Sequence, residues 1–310
     1  MQQLSKYLGN YSLKLGSYLD KYFEQKIKES LAIDPKLHDL YKYLHQYIMG
    51  GKKIRGALVE LGFEMYSKQP NSEITDVSAA IEIIHSGLLI QDDWIDRDET
   101  RRSLQSAHLK FSPEIAVVLG DLAYFEAYRM VAEAKFADSQ KMAAFSLLSK
   151  YLANTGLGEM LDVMGGNADV VHIYKTAHYS FVMPLSLGAL LGGANKKNLE
   201  TLKKYGEAVG LAFQIRDDIL NIIGDPKITG KSVLSDITAK KQTHLWQLAM
   251  SKNAFDPNTD TPEQIRDKFV ACGAIDEAQA LAQDNSNTAK KFVDNPILLE
   301  LADFVILRDK

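Results

Sequence analysis

The chain has 310 residues, 46% of them hydrophobic and 25% charged, with a formal net charge of −4. That is the composition of a folded globular protein able to bury a substantial core, and it excludes an intrinsically disordered chain. The acidic balance excludes a general nucleic-acid binder, and the lone Cys272 excludes an intrachain disulfide framework and fits a reducing compartment.

The first twenty residues, "MQQLSKYLGNYSLKLGSYLD", carry charges and tyrosines throughout and have no apolar centre suited to a signal peptide, so a cytoplasmic location is expected. "GGKKIRG" follows at 50–56, with Lys52 and Arg55 three apart behind two glycines that permit close backbone approach. In "SEITDVSAAIEIIHSGLLIQDD", apolar residues recur at Ile74, Val77, Ile81, Ile84 and Leu88, the spacing of an amphipathic helix with Ser72 as its N-cap. Similar periodicity predicts helices over 114–134, 141–163, 172–193, 197–223 and 290–307. The most apolar stretch, "SFVMPLSLGALLGGA" (180–194), is too short and too rich in Pro, Ser and Gly to span a bilayer. "TPEQ" at 261–264 reads as a helix start with a capping box, and 252–262 as a loop. No run of alternating residues suggests strands, and no linker divides the chain, so one all-α domain over 1–310 is expected.

Two acid clusters interrupt this pattern. The apolar helix that follows Ser72 runs into "DDWIDRDETRRS", where Asp92 and Asp96 lie four apart and share a helix face. "LAFQIRDDILNIIGD" repeats the arrangement at 211–225, with Asp217, Asn221 and Asp225 spaced by four. Paired carboxylates repel unless a hard cation such as Mg²⁺ joins them through carboxylates, waters and phosphate oxygens. Two such helix ends facing each other across a cavity would form a trinuclear metal clamp for a diphosphate; a solvated helix end is the alternative for either. Arg101, Arg102, Lys175, Lys231 and Lys241 add cations suited to phosphate.

Five segments in this order, "GGKKIRG", "IHSGLLIQDDWIDRDETRRS", "YKTAHY", "FQIRDD" and "GKSVLSDITAKKQT", resemble the trans-isoprenyl diphosphate synthases of the polyprenyl synthetase family over roughly residues 45–245. The resemblance implies a helical bundle around a deep central cavity, usually a homodimer. It also implies Mg²⁺-assisted condensation of isopentenyl diphosphate with an allylic diphosphate. By that resemblance Asp92, Asp96 and Asp217 would ligate Mg²⁺, with Asp93 and Asp218 supporting them from behind. Arg101, Lys175, Thr176, Gln214, Lys231 and Lys241 would serve the allylic diphosphate. Lys52, Arg55, His85, Arg102 and Phe213 would form the isopentenyl diphosphate pocket. Asp98 and Glu99 receive no role. Metal and cations would neutralise the leaving diphosphate so that the allylic C–O bond ionises, and the double bond of the second substrate would attack the cation.

The sequence departs from the family pattern at three places. Asn221 stands in the last place of the second acid motif, Lys240 replaces a common glycine before Lys241, and Ser103 replaces a frequent glycine after the arginine pair. Arg308 and Lys310 resemble a basic tail that approaches the isopentenyl site in this family, with a frayed terminus as the alternative. Product length would be set near Ile84, Gly87 and Leu88, where the lack of aromatic bulk points to twenty carbons or more, and by Tyr124, Phe125 and Tyr128 as a floor. A class I terpene cyclase, or a non-catalytic subunit of a heteromeric synthase, would share much of this pattern; neither accounts for both an intact first motif and a second cationic pocket.

Overall fold

A computed structural model describes residues 1–224 and 234–308. The chain folds into two compact units: residues 5–144 with 187–193, and residues 1–4 and 145–186 with the chain from 194 onward. Among the described residues the protein is helical apart from one two-stranded hairpin.

The first of these units contains most of α1 (Gln2–Ile33), α2 (Leu37–Met49), α3 (Ile54–Tyr66), α4 (Ile74–Ile95), the hairpin β1 (Thr100–Arg101) and β2 (Leu104–Gln105), α5 (Ala107–Lys110) and α6 (Pro113–Glu133). Its axis is α4, which packs on α3 and α6 and is buried almost all round from Ile74 to Gly87. A helix in that position needs small residues where a neighbour comes close. A Cβ on Gly87 would lie 2.9 Å from the Gly120 carbonyl oxygen and 2.9 Å from the Tyr124 ring, so the glycine is what lets α6 lie against α4. The predicted cap at Ser72 is not formed: α4 begins two residues later, and the Asn71 side chain accepts the Glu73 N–H at 2.9 Å.

The second unit contains residues 145–163 of α7 (Asp138–Val163), α8 (Ala168–Val171), a π-helical segment (His172–Val182), and α10 (Lys196–Ile223), which follows α9 (Met183–Leu191). It continues with α11 (Ser235–Thr238), α12 (His244–Ser251), α13 (Pro262–Ala271), α14 (Ala274–Lys290) and α15 (Pro296–Leu307). The spine here is α10, packed on the π-helical segment and α14. Gly210 of α10 brings the two backbones together, since a Cβ there would lie 2.5 Å from the Ala177 Cα. Trp246, Phe255 and Phe269 stack edge-on in the apolar cluster of α12, α13 and the loop between them.

Several predicted elements hold. The capping box at Thr261 and Gln264 is present with Pro262 at the first turn, and the predicted 114–134 and 197–223 helices are found within a residue. Two differ. The expected 290–307 helix breaks at 291–295, where Asn295 caps a new helix whose first residue is Pro296. The 172–193 stretch is π-helical in its first eleven residues, a register that a 3.6-residue period does not distinguish. Among the described residues no helix is long and apolar enough to cross a membrane.

Candidate active site

The acid block of the first unit is ordered by the way α4 ends. Arg97 takes a left-handed conformation at φ 57, the Asp98 N–H donates to the Asp93 carbonyl at 2.9 Å, and the Arg97 N–H donates to the Trp94 carbonyl at 3.4 Å. That double bond pattern closes the helix at Asp96 and turns the chain back. Asp92 and Asp96 are therefore left at the helix end, Asp96 exposed and Asp92 partly so. Asp93, one residue on from Asp92, faces inward with 0% exposure.

Asp93 is held there by two partners. The Tyr47 hydroxyl donates to Oδ2 at 2.8 Å, and Arg101 Nε donates to Oδ1. Burial pushes the Asp93 carboxyl up, while Arg101 and Tyr47 pull it down. Arg101 also reaches Asp98 at 2.8 Å and Asp92 at 3.5 Å. Asp98, to which the sequence assigned nothing, is thus a second anchor of the guanidinium. Arg101 itself pairs with three acids, two at the end of α4 and one in the turn after it, so its direct link is to the acid block. Burial works against its charge, but Asp93, Tyr47 and Asp92 keep it firmly protonated.

Arg102 points elsewhere. The turn between β1 and β2 places Arg102 and Ser103 both at positive φ, 54 and 63, the geometry of a tight two-residue hairpin. The Arg102 guanidinium donates to the Tyr47 carbonyl at 2.8 Å and lies 3.5 Å from His85 Nε2. Arg55 approaches the same His85 nitrogen at 3.1 Å. Burial, then Arg55, Arg102 and Lys53, hold the His85 imidazole well below its ordinary range, so it is neutral at pH 7. The glycines of "GGKKIRG" now have a reason: a Cβ on Gly50 would lie 2.6 Å from the Arg102 side chain, and Gly51 has φ +88 beside the same guanidinium. Lys52 is exposed next to this group, whereas Lys53, which the sequence left aside, is buried, donates to the Gly50 carbonyl at 2.7 Å and is pushed down by burial to about 8. Arg55, His85 and Arg102 are therefore one cluster, with Lys53 as its unforeseen further member, while Lys52 is exposed beside Lys53 in the chain.

Below it, Ile84 is buried, Leu88 is partly exposed, and the space at Gly87 is filled by α6. The bulk absent from Gly87 itself is supplied from α6, because the Tyr124 ring stands where a side chain would be. The Tyr124 hydroxyl donates to the Gln91 amide oxygen at 2.7 Å, which fixes that ring. Tyr128 is partly buried along the same helix. Phe125 is a correction: it is 67% exposed and belongs to the outer face of α6.

In the second unit, Gln214, Asp217, Asp218 and Asn221 follow one another down α10, opposite Lys175 and Thr176 of the π-helical segment. Asp217 keeps a 45% exposed side chain and is paired with Arg308 at 2.6 Å. Arg308 is not frayed: its guanidinium lies 3.7 Å over the Phe213 ring and donates to the Phe213 carbonyl at 3.1 Å, while Arg216 donates to the Arg308 carbonyl at 3.0 Å. Phe213 is thus covered on one face by this arginine and touches Phe181 edge-on on another.

Asp218 is buried, 3% exposed, 3.3 Å from His172 Nε2 and bonded at 3.1 Å by the Gln214 amide nitrogen. The Gln214 oxygen accepts from the Thr176 hydroxyl at 2.9 Å. Burial opposes the charge on His172, yet Asp218 and then Asp169 and Asp162 leave its imidazole raised above the ordinary value. Lys175 is gripped by Asp162 at 2.7 Å and Glu159 at 3.0 Å, two acids three apart on α7. Neither acid nor His172 was singled out in the sequence; the three-residue spacing of the acids on a predicted helix was the available signal for the first two. Asn221 uses its side-chain oxygen to accept the Asp236 N–H at 3.2 Å, so it docks the start of α11. Lys241 is partly buried beyond that turn, and Lys240 sits exposed at φ 52, where the family's glycine carries no strain. Lys231, Asp225 and Lys310 lie outside the described residues.

For a divalent cation the donor set is hard oxygen. No group of three or more acidic, His or Cys ligands gathers among the described residues. Mg²⁺ binds through one or two carboxylates and completes its shell with water and phosphate. Among the carboxylates present, Asp96 is exposed, Asp92 partly so, and Asp217 is half-exposed and paired with Arg308.

A family model described as polyprenyl synthetase matches residues 36–281. A short chain isoprenyl diphosphate synthase of Methanocaldococcus jannaschii is 32% identical over 284 residues, covering 87% of this chain and 85% of its own. A geranylgeranyl diphosphate synthase of Methanosarcina mazei is 26% identical, covering 96% and 100%. Among solved structures, a geranylgeranyl pyrophosphate synthase from Corynebacterium glutamicum, complexed with isoprenyl diphosphate and magnesium, superposes with a TM-score of 0.88 at 25% identity, covering 97% of this chain and 99% of its own.

Proposed function

The chain belongs to the polyprenyl synthetase family, and from that premise we propose the residue roles by which it elongates an allylic diphosphate. It is a prenyltransferase of the isoprenoid synthase fold, condensing isopentenyl diphosphate with an allylic diphosphate to a longer trans-polyprenyl diphosphate. Asp92, Asp96 and Asp217 are the Mg²⁺ ligands. Bound there, the metal would neutralise the allylic diphosphate as it leaves. Lys175, Thr176, Gln214, Lys231 and Lys241 position that diphosphate, while Arg101 holds the acid block in register through Asp93 and Asp98. The isopentenyl diphosphate lies on Lys52, Arg55, His85 and Arg102, with Phe213 against its hydrocarbon. The exclusion of water protects the cation from quenching.

The observation that carries this reading over a terpene cyclase is the convergence of Arg55 and Arg102 on a neutral His85, with Lys53 close enough to act on it. Two guanidiniums gathered on an uncharged imidazole make a site for a polyanion, and a cyclase has no second diphosphate to place there. Product length of twenty carbons or more agrees with the geranylgeranyl and geranylfarnesyl synthases among the relatives. We assign its floor to Tyr124, whose ring abuts Gly87. The family match runs through both units and supports one synthetase domain. Three Mg²⁺ per site, homodimerisation through the exposed Val117, Val118 and Phe125 of α6, and a cytoplasmic location complete the proposal.

Purified protein with Mg²⁺, isopentenyl diphosphate and each allylic primer in turn tests this reading, with the dephosphorylated products separated by chain length. Elongated prenyl alcohols that require isopentenyl diphosphate are expected. Pyrophosphate release from the allylic substrate alone would instead support a cyclase, and no product until a second chain is added would make this a partner subunit.

A further inference from the structure

Glu82 has no place in the roles above, yet it is a carboxylate buried at 2% exposure inside α4, about one turn before His85. Its Oε1 accepts the Gly56 N–H at 2.8 Å. Gly56 is in the first turn of α3, so its N–H is one that no carbonyl of its own helix can take. The residue that would ordinarily cap that helix, Lys53, sits in the left-handed region at φ 56 and makes no side-chain cap bond. The neighbouring helix supplies the cap instead. The two helices come close enough for this because residue 56 is glycine: a Cβ there would lie 2.8 Å from the Ser78 carbonyl oxygen of α4 and would overlap the Tyr11 hydroxyl of α1. Arg55, the residue before Gly56, approaches His85 Nε2 at 3.1 Å. Thus α3 and α4 are pinned at two successive levels, Gly56 on Glu82 and Arg55 on His85.

We propose that Glu82 is a positioning residue for isopentenyl diphosphate, capping α3 from α4 so that the Arg55 guanidinium is presented at His85. The proposal rests on the reading of Arg55, His85 and Arg102 as the seat of that substrate. A guanidinium on a long side chain is placed by the backbone that carries it, and the end of a helix is the part most ready to fray. Holding the Gly56 N–H fixes the turn to which Arg55 belongs. The carboxylate also answers charge. Arg55, Arg102 and Lys53 gather round a neutral imidazole, and cations at such range repel one another until a polyanion joins them. Burial disfavours the charges on Lys53 and Arg102; against it stand Glu82 for Lys53, and Tyr47 and then Glu82 for Arg102. Glu82 therefore keeps the pocket cationic and assembled before the diphosphate arrives. Its own Oε1 is engaged by backbone, and at 2% exposure it has no face to offer the substrate itself.

The test is steady-state kinetics with each substrate varied, on wild type, E82A, E82Q, R55A and the double variant E82A/R55A, with thermal midpoints alongside. E82A should raise the KM for isopentenyl diphosphate about tenfold, the scale of one lost hydrogen bond to a charged group, and leave the KM for the allylic diphosphate within about twofold. E82Q keeps an oxygen for the Gly56 N–H while giving up the charge, and should stay within about threefold of wild type. In the R55A background the E82A change should add no more than about that threefold, because the capping part of its effect acts through Arg55. An unchanged KM for isopentenyl diphosphate in E82A, an equal loss for both substrates, or a full further tenfold loss in the double variant would overturn the proposal. If E82A does not fold, E82D asks the same question by keeping the charge and withdrawing the oxygen from Gly56, and a wild-type KM there would overturn it equally. A failure of the parent reading looks different: R55A itself would leave the KM for isopentenyl diphosphate unchanged.

Discussion

Asp93 and Asp218 occupy equivalent places in their motifs. Each is the second acid of a pair, each is almost wholly buried, and each sits beside a first acid that remains accessible. They differ in what answers their charge. Asp93 faces Arg101, a cation that no accessible pH removes; Asp218 faces His172, which can give its proton up. In both motifs, then, the second acid is buried against a basic partner, and the acid before it is the more accessible of the two. That partner's charge is permanent in one unit and conditional in the other.

The largest expected effect separates the roles of the two acids within a pair. Asp92→Ala and Asp217→Ala should each lower turnover by on the order of 10²-fold or more, by removing a metal ligand, while thermal stability changes little. Near-wild-type turnover in Asp92→Ala would undo the metal assignment in the first unit. Asp93→Asn and Asp218→Asn should separate the two buried acids on stability. Asparagine at 93 leaves only Asp98 and Asp92 to answer a buried guanidinium that cannot shed its charge, and should cost about 2–3 kcal/mol in a denaturant titration. Asparagine at 218 lets His172 become neutral and should cost about 1–2 kcal/mol. Equal losses would mean that the imidazole is no more adaptable than the guanidinium.

The pH dependence of stability sharpens the same contrast. His172 has its pKa raised in the folded protein, through Asp218 and against burial. Its contribution is therefore complete below the unfolded value of about 6.5 and is lost as pH rises through the higher folded value. His85 has its pKa depressed by burial and by Arg55 and Arg102, so the fold loses stability as pH falls below about 6.5, where the unfolded chain takes up a proton and the folded one does not. Denaturant midpoints across pH 5–9 should show both slopes, with H172Q removing only the alkaline one. An alkaline slope that survives in H172Q would have its origin elsewhere.

The sequence made the ends of this comparison legible and hid its middle. Asp92, Asp96 and Asp217 could be read because four-residue spacing at the end of an apolar helix is a local pattern. Tyr47, forty-six residues before Asp93, and His172, forty-six before Asp218, carry no such pattern; only the packing of α2 on α4 and of the π-helical segment on α10 brings them in. The π register escaped for a related reason, since its apolar residues satisfy a helical period equally well. Helix α1 escaped because its apolar stripe is diluted by charges, and the break before α15 because the Asn295–Pro296 start was subordinated to the longer period. Gly87 runs in the opposite direction: its missing side chain leaves no space, because the Tyr124 ring of α6 fills it.

The smallest effect concerns the two turns that follow the two acid motifs. Ser103 and Lys240 stand where the family commonly has glycine, and both adopt positive φ, 63 and 52. A residue with a Cβ is strained there by about 1–2 kcal/mol, while glycine gives back part of that through the greater freedom of its unfolded chain. Ser103→Gly and Lys240→Gly should therefore each stabilise by somewhat under about 1 kcal/mol, a rise of roughly two degrees in the thermal midpoint of a chain this size. The two need not agree in activity. The Ser103 turn aims Arg101 at Asp93 and Arg102 at His85, and its backbone is pinned by the β1–β2 pairing, so turnover should not change. The Lys240 turn is held by the Lys240 N–H on Ile237 and the Lys241 N–H on Asp236, so a looser residue at 240 frees the backbone that carries Lys241. A rise in the KM for the allylic diphosphate in Lys240→Gly alone would place Lys241 on that substrate; unchanged kinetics in both would take Lys241 off it.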